Sequence, residues 1–415
     1  MKGQGTPRGF RLHIGIFGRR NVGKSSLLNA FVRQRVSLVS DTAGTTTDPV
    51  EKPMEMLPLG PVVFIDTAGI DDVGALGELR VARTRQVLDR ADLALVVAVG
   101  EGWGEFEEGL VRELADRKVP VVAVFNQADR VVPPEGLRQD LARRGIPTVV
   151  TSALTGLGMG DLREAVLRAA PPEAFETPTI LGDLVPPGEM AVLVVPIDKE
   201  APKGRLILPQ VQTIRDLLDH DAAALVVKER ELRAMLDLLR RPPRLVVTDS
   251  QAFLKVAADT PPDVPMTSFS ILFSRLKGDL VSFVEGAMAV EDLRPGDRVL
   301  VAEACTHHPI GEDIGRVKIP RWLERYVGGH LEFVHVQGHD FPEDLSPFRL
   351  VIHCGACTQN RREVLNRLLR CRAQEVPMTN YGLVIAWSLG IFERALSPFP
   401  GALEAFRARK REGRP

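Results

Sequence analysis

Leu12-His13-Ile14-Gly15-Ile16-Phe17 runs into Gly18-Arg19-Arg20-Asn21-Val22-Gly23-Lys24-Ser25, and Ser26 to Arg33 continues with helical spacing. The apolar run reads as a buried strand, and the eight residues after it match Gly-x-x-x-x-Gly-Lys-Ser in the strand–loop–helix context the pattern requires. The glycines let the backbone wrap closely around phosphate groups. Successive N–H groups and the helix N-terminus then hold the anion. Gly18, Asn21, Val22, Gly23, Lys24, Ser25 and Ser26 are the expected phosphate-binding residues. Lys24 should reach the β and γ phosphates, and the Ser25 hydroxyl should take Mg²⁺. The motif places an α/β domain with a mostly parallel sheet over residues 8–173.

Working outward, Val62-Val63-Phe64-Ile65 reads as a strand ending in Asp66-Thr67-Ala68-Gly69. Asp66 is expected to hold magnesium through water, and the Gly69 N–H to meet the γ-phosphate. Val121 to Phe125 is another strand and ends in Asn126-Gln127-Ala128-Asp129. A carboxylate at Asp129 can accept both N1–H and N2–H₂ of guanine, which adenine does not offer, so the expected nucleotide is GTP. Thr148 to Thr151 leads to Ser152-Ala153, whose backbone can meet guanine O6. This set, in this order, resembles the GTPases of the translation-factor class. Ser40 to Asp48 contains Gly44-Thr45-Thr46-Thr47-Asp48, which is similar to the switch of the Era-like and tRNA-modification GTPases. That resemblance implies Thr46 as a second magnesium ligand and, through Asn21, a K⁺ ion standing in for an arginine finger. Ile70, not a glutamine that could orient water, follows Gly69, so slow intrinsic hydrolysis is expected. Gln127 stands where these families carry lysine; being shorter and uncharged, it is expected to weaken nucleotide affinity.

Two cysteine stretches lie near the other end. Cys305-Thr306-His307-His308 follows a strand-like Arg298 to Ala302, and His353-Cys354-Gly355-Ala356-Cys357 follows Arg349 to Ile352. Ligand sites in open α/β sheets gather outside the carboxyl ends of strands. Cys305, Cys354 and Cys357 are therefore expected to converge. Three thiolates with nearby imidazoles suit a soft metal, an iron–sulfur cluster or zinc. Cys371, the fourth of four cysteines, reads as a structural thiol. Asn380 and Tyr381 head a helix at a strand end, where they could line the metal site or simply cap and pack.

Residues 174–265 read as a small β-α-β-α-β unit without nucleophile, metal pattern or glycine loop. A core that small gains from pairing with a second copy, so a dimerisation domain is expected; a rigid spacer is the alternative. Residues 266–402 alternate strand and helix and predict a second parallel sheet. Residues 403–415 form a basic tail, expected to be a solvated, fraying end. The 415 residues are 44% hydrophobic and 26% charged, with a net charge of −1. That balance supplies no bulk drive toward nucleic acid or membrane. No apolar run is long enough to span a bilayer, and the N-terminus has no apolar signal core, so a cytoplasmic protein is expected.

The GTPase motifs, Pro196 to Arg205, Cys-x-His and His-Cys-x-x-Cys together resemble the HydF family, the maturation GTPases of the FeFe-hydrogenases. The resemblance covers essentially the whole chain. It implies a GTPase domain, a dimerisation domain and a domain carrying a 4Fe-4S cluster on Cys305, Cys354 and Cys357. The fourth iron position would be left to an exchangeable ligand, with His353 slightly preferred over His307. It further implies a scaffold that takes a two-iron precursor bearing CO and CN⁻, built by two radical-SAM maturases, and delivers it to apo FeFe-hydrogenase. A homodimer or higher oligomer is implied, with GTP hydrolysis regulatory. Two other readings compete. One is a zinc-stabilised Era-like GTPase acting in tRNA modification or ribosome assembly, against which stands the near-zero net charge. The other is an iron–sulfur enzyme using the open iron as a Lewis acid, for which no convergent acid–base pair is visible.

Overall fold

A computed structural model describes residues 7–33, 49–67, 84–176, 178–196, 206–304 and 313–412. The chain divides into two compact units, Met1–Thr177 and Pro178–Pro415.

The first unit is a six-stranded sheet in the order β2-β3-β1-β4-β5-β6. Its strands are β1 (Leu12–Phe17), β2 (Val50–Met56), β3 (Gly60–Asp66), β4 (Leu93–Val99), β5 (Val121–Asn126) and β6 (Thr148–Val150). All pairings are parallel except β2 with β3. Helices include α1 (Lys24–Arg33), α2 (Glu105–Asp116), α3 (Glu135–Arg143) and α4 (Met159–Ala169). Leu93 to Ala98 are all buried, as expected of a central parallel strand covered on both faces. The chain leaves β1 between β3 and β4, where the strand order reverses, and such a reversal opens a crevice for a ligand.

The second unit holds two four-stranded, all-parallel sheets, β10-β9-β7-β8 and β12-β11-β13-β14. The strands of the first are β7 (Met190–Val194), β8 (Ala223–Val227), β9 (Leu245–Thr248) and β10 (Met266–Ser268). Those of the second are β11 (Arg298–Glu303), β12 (Glu332–Gln337), β13 (Leu350–His353) and β14 (Met378–Asn380). The helices in chain order are α5 (Leu208–Asp219), α6 (Leu232–Leu238), α7 (Phe253–Asp259), α8 (Phe269–Lys277), α9 (Leu280–Met288), α10 (Ile319–Val327), α11 (Arg361–Ala373), α12 (Tyr381–Ser388), α13 (Phe392–Ala395) and α14 (Pro400–Glu412). The middle sheet thus gains β10, three residues past the boundary expected at 265. The two sheets are joined by side chains as well as by the chain. Arg394 on α13 donates to the carbonyls of Ala257, Thr260 and Pro261 at 2.7, 2.6 and 3.0 Å, and Lys318 donates to Gln251 Oε1 at 2.6 Å.

The basic tail departs from expectation. Residues 400–412 form α14, with Ala402 and Phe406 buried. The Phe406 ring stacks edge-on against Phe392 and Trp387, at centroid distances of 5.1 and 6.1 Å. Buried Ala402 and Phe406 thus anchor the helix, the Phe406 ring adding edge-on aromatic packing. Strand β8 is the last strand of its sheet among the described residues: Ala223 and Val226 are exposed, and Ala224 and Leu225 half-buried.

Candidate functional site

The loop after β1 has the shape its glycines allow. Gly18 sits at φ +147°, and a Cβ there would lie 2.3 Å from the Val97 carbonyl oxygen; Gly23 at φ +87° would press a Cβ to 2.6 Å from Asn126 Nδ2. No other residue type fits either position. Asn21 takes the left-handed conformation, φ +61°, which asparagine tolerates. Lys24 is buried, and its ammonium donates to the Gly18 and Arg19 carbonyls at 2.9 and 2.8 Å. Arg19 makes a two-pronged pair with fully buried Glu107 on α2, at 2.9 and 3.1 Å.

Asn126 is the joint of the nucleotide site. Its Nδ2 donates to the Val22 carbonyl at 3.0 Å, and its Oδ1 accepts from the Ala153 N–H at 3.1 Å. One side chain therefore ties the phosphate loop to the Ser152-Ala153 loop. Ser152 is buried, and its hydroxyl donates to Asp129 Oδ1 at 2.5 Å, while Asp129 itself is exposed. Gln127 has a use beyond what its length suggests: at φ +62° its Nε2 donates to the Asn21 carbonyl at 2.8 Å.

The Ser25 hydroxyl donates to Asp66 Oδ2 at 2.5 Å. The other oxygen, Asp66 Oδ1, is buried with no hydrogen-bond partner among the described residues. Burial pushes the Asp66 carboxyl above its usual range, against the pull of the Ser25 bond and the Lys24 and Lys52 ammonium groups. A hydroxyl beside a buried carboxylate with an orphaned oxygen is a hard oxygen pair, which fits Mg²⁺. Thr46, Gly69 and Ile70 lie outside the described residues.

In the second unit, strand register builds the cysteine site. Ala302 on β11 pairs with His353 on β13, so the chain segments after both strands leave the same end of the sheet. Cys354 Sγ accepts the Ala304 N–H at 3.0 Å and the Ala356 N–H at 3.5 Å, and the Thr358 hydroxyl donates to the Ala304 carbonyl at 2.9 Å. Ala356, between the two cysteines, adopts φ +52°. Backbone N–H groups aimed at sulfur stabilise thiolate and tune thiolate-held iron, so this donor set fits an iron–sulfur group. Burial raises the Cys357 thiol, and the nearby Lys277 charge lowers it. Cys305 and His307 lie outside the described residues. Among the described residues no three His, Cys, Asp or Glu side chains converge to hold a metal ion. Cys371 is fully buried beside the Met378 sulfur at 3.7 Å, and burial pushes its thiol up to about 12.

His353 does not sit as the sequence suggests. Its Nδ1 lies 2.8 Å from the Cys354 carbonyl and its Nε2 2.9 Å from Arg367 Nη1. A carbonyl only accepts and a guanidinium only donates, so the ring is the neutral Nδ1–H tautomer with both nitrogens committed. Burial, then the Arg367 charge, holds its imidazolium down at about 4. In this arrangement both ring nitrogens of His353, the residue slightly preferred as exchangeable ligand, are engaged by the Cys354 carbonyl and Arg367. Asn380 proves to be a cap: its Oδ1 accepts from Leu383 N at 3.0 Å. The Tyr381 hydroxyl donates to buried Glu303 at 3.2 Å.

Several neighbours of the cysteines carried no readable signal. Lys277 is buried and donates to the Gln359 carbonyl at 2.6 Å. Arg367 donates to the Gly338 carbonyl at 2.8 Å and pairs with Glu363 at 2.9 Å. Only the Glu363-x-x-x-Arg367 spacing could have hinted at that pair.

The family model described as hydrogen maturase F dimerization domain matches residues 180–278, and that described as hydrogen maturase F tetramerization domain matches 281–398. A 50S ribosome-binding GTPase model matches residues 13–127. Among curated relatives, the tRNA modification GTPase MnmE of Synechococcus sp. (strain CC9311) is 37% identical over 158 residues, 38% of this chain and 34% of the relative. MnmE of Exiguobacterium sibiricum is 37% identical over 156 residues, 37% of this chain and 34% of the relative. The chain thus spans about a third of the length of these relatives. Among solved structures, the G domain of the T. maritima FeoB iron transporter is 25% identical, covering 38% of this chain and 98% of that one with a TM-score of 0.30. Aquifex aeolicus Era bound to GDP and aluminium fluoride is 22% identical, covering 60% of this chain and 99% of that one with a TM-score of 0.33. Among the described residues no helix is long and apolar enough to cross a membrane.

Proposed function

The chain belongs to the hydrogen maturase F family and carries an Era- and MnmE-type GTPase domain, and from that premise we propose that it is a GTP-hydrolysing iron–sulfur scaffold. In this reading it receives a two-iron precursor from radical-SAM maturases and hands it to apo FeFe-hydrogenase. GTP is the hydrolysed substrate, and its turnover regulates the hand-over rather than performing it.

The residues divide the work. Asp129 reads guanine, and Ser152 and Ala153 frame the base. Gly18 to Ser26 wrap the phosphates, and Lys24 gives up its two loop carbonyls to meet phosphate oxygens. Ser25, Asp66 and Thr46 hold Mg²⁺, which when bound offsets charge on the transferring phosphate. Cys354 and Cys357, with Cys305, hold the 4Fe-4S cluster, whose open iron supplies an attachment point for the two-iron cargo. With His353 committed to Arg367, that fourth position falls to His307 or to an exogenous ligand.

A homodimer is proposed at the edge of β8. Ala223 N bonds the Glu189 carbonyl and Val195 N bonds the Val227 carbonyl, so Ala223, Leu225 and Val227 face β7. By the period of two, Ala224 and Val226 point their backbone groups outward. An apolar open edge is a template for another strand, and the family model over this segment is named for dimerization.

The observation that carries the reading is the Ala302–His353 register with N–H groups aimed at Cys354 Sγ. Anaerobic reconstitution with iron and sulfide tests it. The parent should turn brown with broad charge-transfer absorption, and Cys354→Ser should stay colourless while hydrolysing GTP normally. A cluster that survives Cys354→Ser, or a zinc-loaded colourless parent, overturns the scaffold reading.

A further inference from the structure

One arginine holds both ends of the turn that carries Cys354 and Cys357. Arg367 on α11 is 3% exposed. Its Nη1 donates to His353 Nε2 at 2.9 Å, and its Nη2 donates to the Gly338 carbonyl at 2.8 Å and to Glu363 Oε1 at 2.9 Å. The guanidinium carbon also lies 5.0 Å from the centre of the Phe341 ring. Buried His353 passes the contact on, its Nδ1–H donating to the Cys354 carbonyl at 2.8 Å. The far end of the turn returns to the same partners, since Gln359 Nε2 donates to the Gly338 carbonyl at 2.6 Å and to Glu363 Oε1 at 2.9 Å. A planar fork of donors is suited to holding several acceptors at once, which a single ammonium point is not.

Neutral imidazole has one ring lone pair to give, and the Nδ1–H tautomer places it on Nε2. That pair is what a metal would take, and here it accepts from Arg367. We propose that Arg367 is a positioning residue that withholds His353 from iron, so that the fourth position of the cluster held by Cys354 and Cys357 stays with an exchangeable ligand. The inference rests on the scaffold reading above. A histidine bound within the same chain competes at high effective concentration with any incoming ligand, so keeping it on the arginine leaves the attachment point accessible. Removing the guanidinium releases the ring. An Fe–N bond then forms, the exchangeable ligand leaves, the Nδ1 proton stays on the ring and no electron moves.

The experiment uses the full-length chain as parent, His353→Ala, Arg367→Met, and Arg367→Met combined with His353→Ala. A fifth protein combines Arg367→Met with Glu363→Gln, which removes the opposite charge together with the guanidinium. Each is reconstituted anaerobically with iron and sulfide, its iron and sulfide per chain are measured, and it is reduced with dithionite. Pulsed electron paramagnetic resonance then reads strong ¹⁴N coupling to the cluster. Parent and His353→Ala should give the same spectrum. Arg367→Met should gain a nitrogen coupling that is lost when His353→Ala is added. A coupling in the parent that His353→Ala removes overturns the inference. A cluster in Arg367→Met with the parent spectrum overturns it as well, and both results leave the scaffold reading standing. Where Arg367→Met alone takes up no cluster, the same two outcomes are read on its combination with Glu363→Gln. Loss of the cluster in both marks a purely structural arginine and overturns the inference too. A parent that takes up no iron removes the scaffold reading instead.

Discussion

Replacing Asn126 by alanine should loosen the nucleotide-binding unit before any nucleotide is involved. The side chain is 1% exposed and closes two good hydrogen bonds, to the Val22 carbonyl at 3.0 Å and from the Ala153 N–H at 3.1 Å. Its two longer contacts, to Gly23 O and Thr151 Oγ1, are both 3.4 Å and add little. Truncation leaves a carbonyl and an N–H unpaired, at about 1–3 kcal/mol each. Part of that returns through water or local shift, so the net loss should be about 3 kcal/mol. At roughly 2–4 °C per kcal/mol for a unit of this size, its midpoint should fall by about 6–12 °C. Differential scanning calorimetry on the full chain measures this, with GTP added in a second scan to mark the transition that belongs to the nucleotide-binding unit. Asp129→Ala is the control, because Asp129 is exposed and its one described bond is to the Ser152 hydroxyl. It should abolish GTP binding with a stability change within about 0.5 kcal/mol. An Asn126→Ala midpoint within about 2 °C of the parent would refute the reasoning, as would equal destabilisation by the two variants.

Three further outcomes are expected. Asp129→Asn should shift hydrolysis from GTP toward xanthosine triphosphate, and a variant that turns over GTP as fast as the parent would remove Asp129 from base recognition. Cys371, with its thiol pushed up to about 12, should resist iodoacetamide at pH 8 in the folded protein and react once unfolded, as read by mass spectrometry. Because its folded value lies above the ordinary 9.0, its neutral form supports folding below about pH 9, and that support is lost between about pH 9 and 12. Val226→Pro removes an outward N–H from β8 without touching the ladder to β7, so light scattering should find monomers with an unchanged circular dichroism spectrum; intact dimers would place the interface elsewhere.

The nucleotide site was legible because its chemistry is written in contiguous residues. Gly18 to Ser25, Asp66 and Asn126 to Asp129 each follow a strand, and the fold delivers every strand end to the same crevice. The cysteine pair was legible for the same reason. What surrounds it was not, since Lys277 arrives from α8, some 80 residues before the turn it grips. The sequence also shows that a histidine precedes Cys354, but not that Arg367 holds its ring from fourteen residues away. Strand β10 is only three residues long, too short for its pattern to be told from a loop. In α14 a single buried aromatic, Phe406, decides between helix and frayed end, and the arginines around it mask that signal.

The three carbonyls held by Arg394 weld the two sheets of the second unit into one body. The β8 edge and the mouth containing Cys354 and Cys357 are therefore carried by a single lever. Where two copies join at β8, the spacing and facing of their two mouths become a property of the assembly, set once by the seam. If two copies pair at β8 as proposed, turning one mouth turns the whole second unit with it, because Arg394 fastens the two sheets to each other.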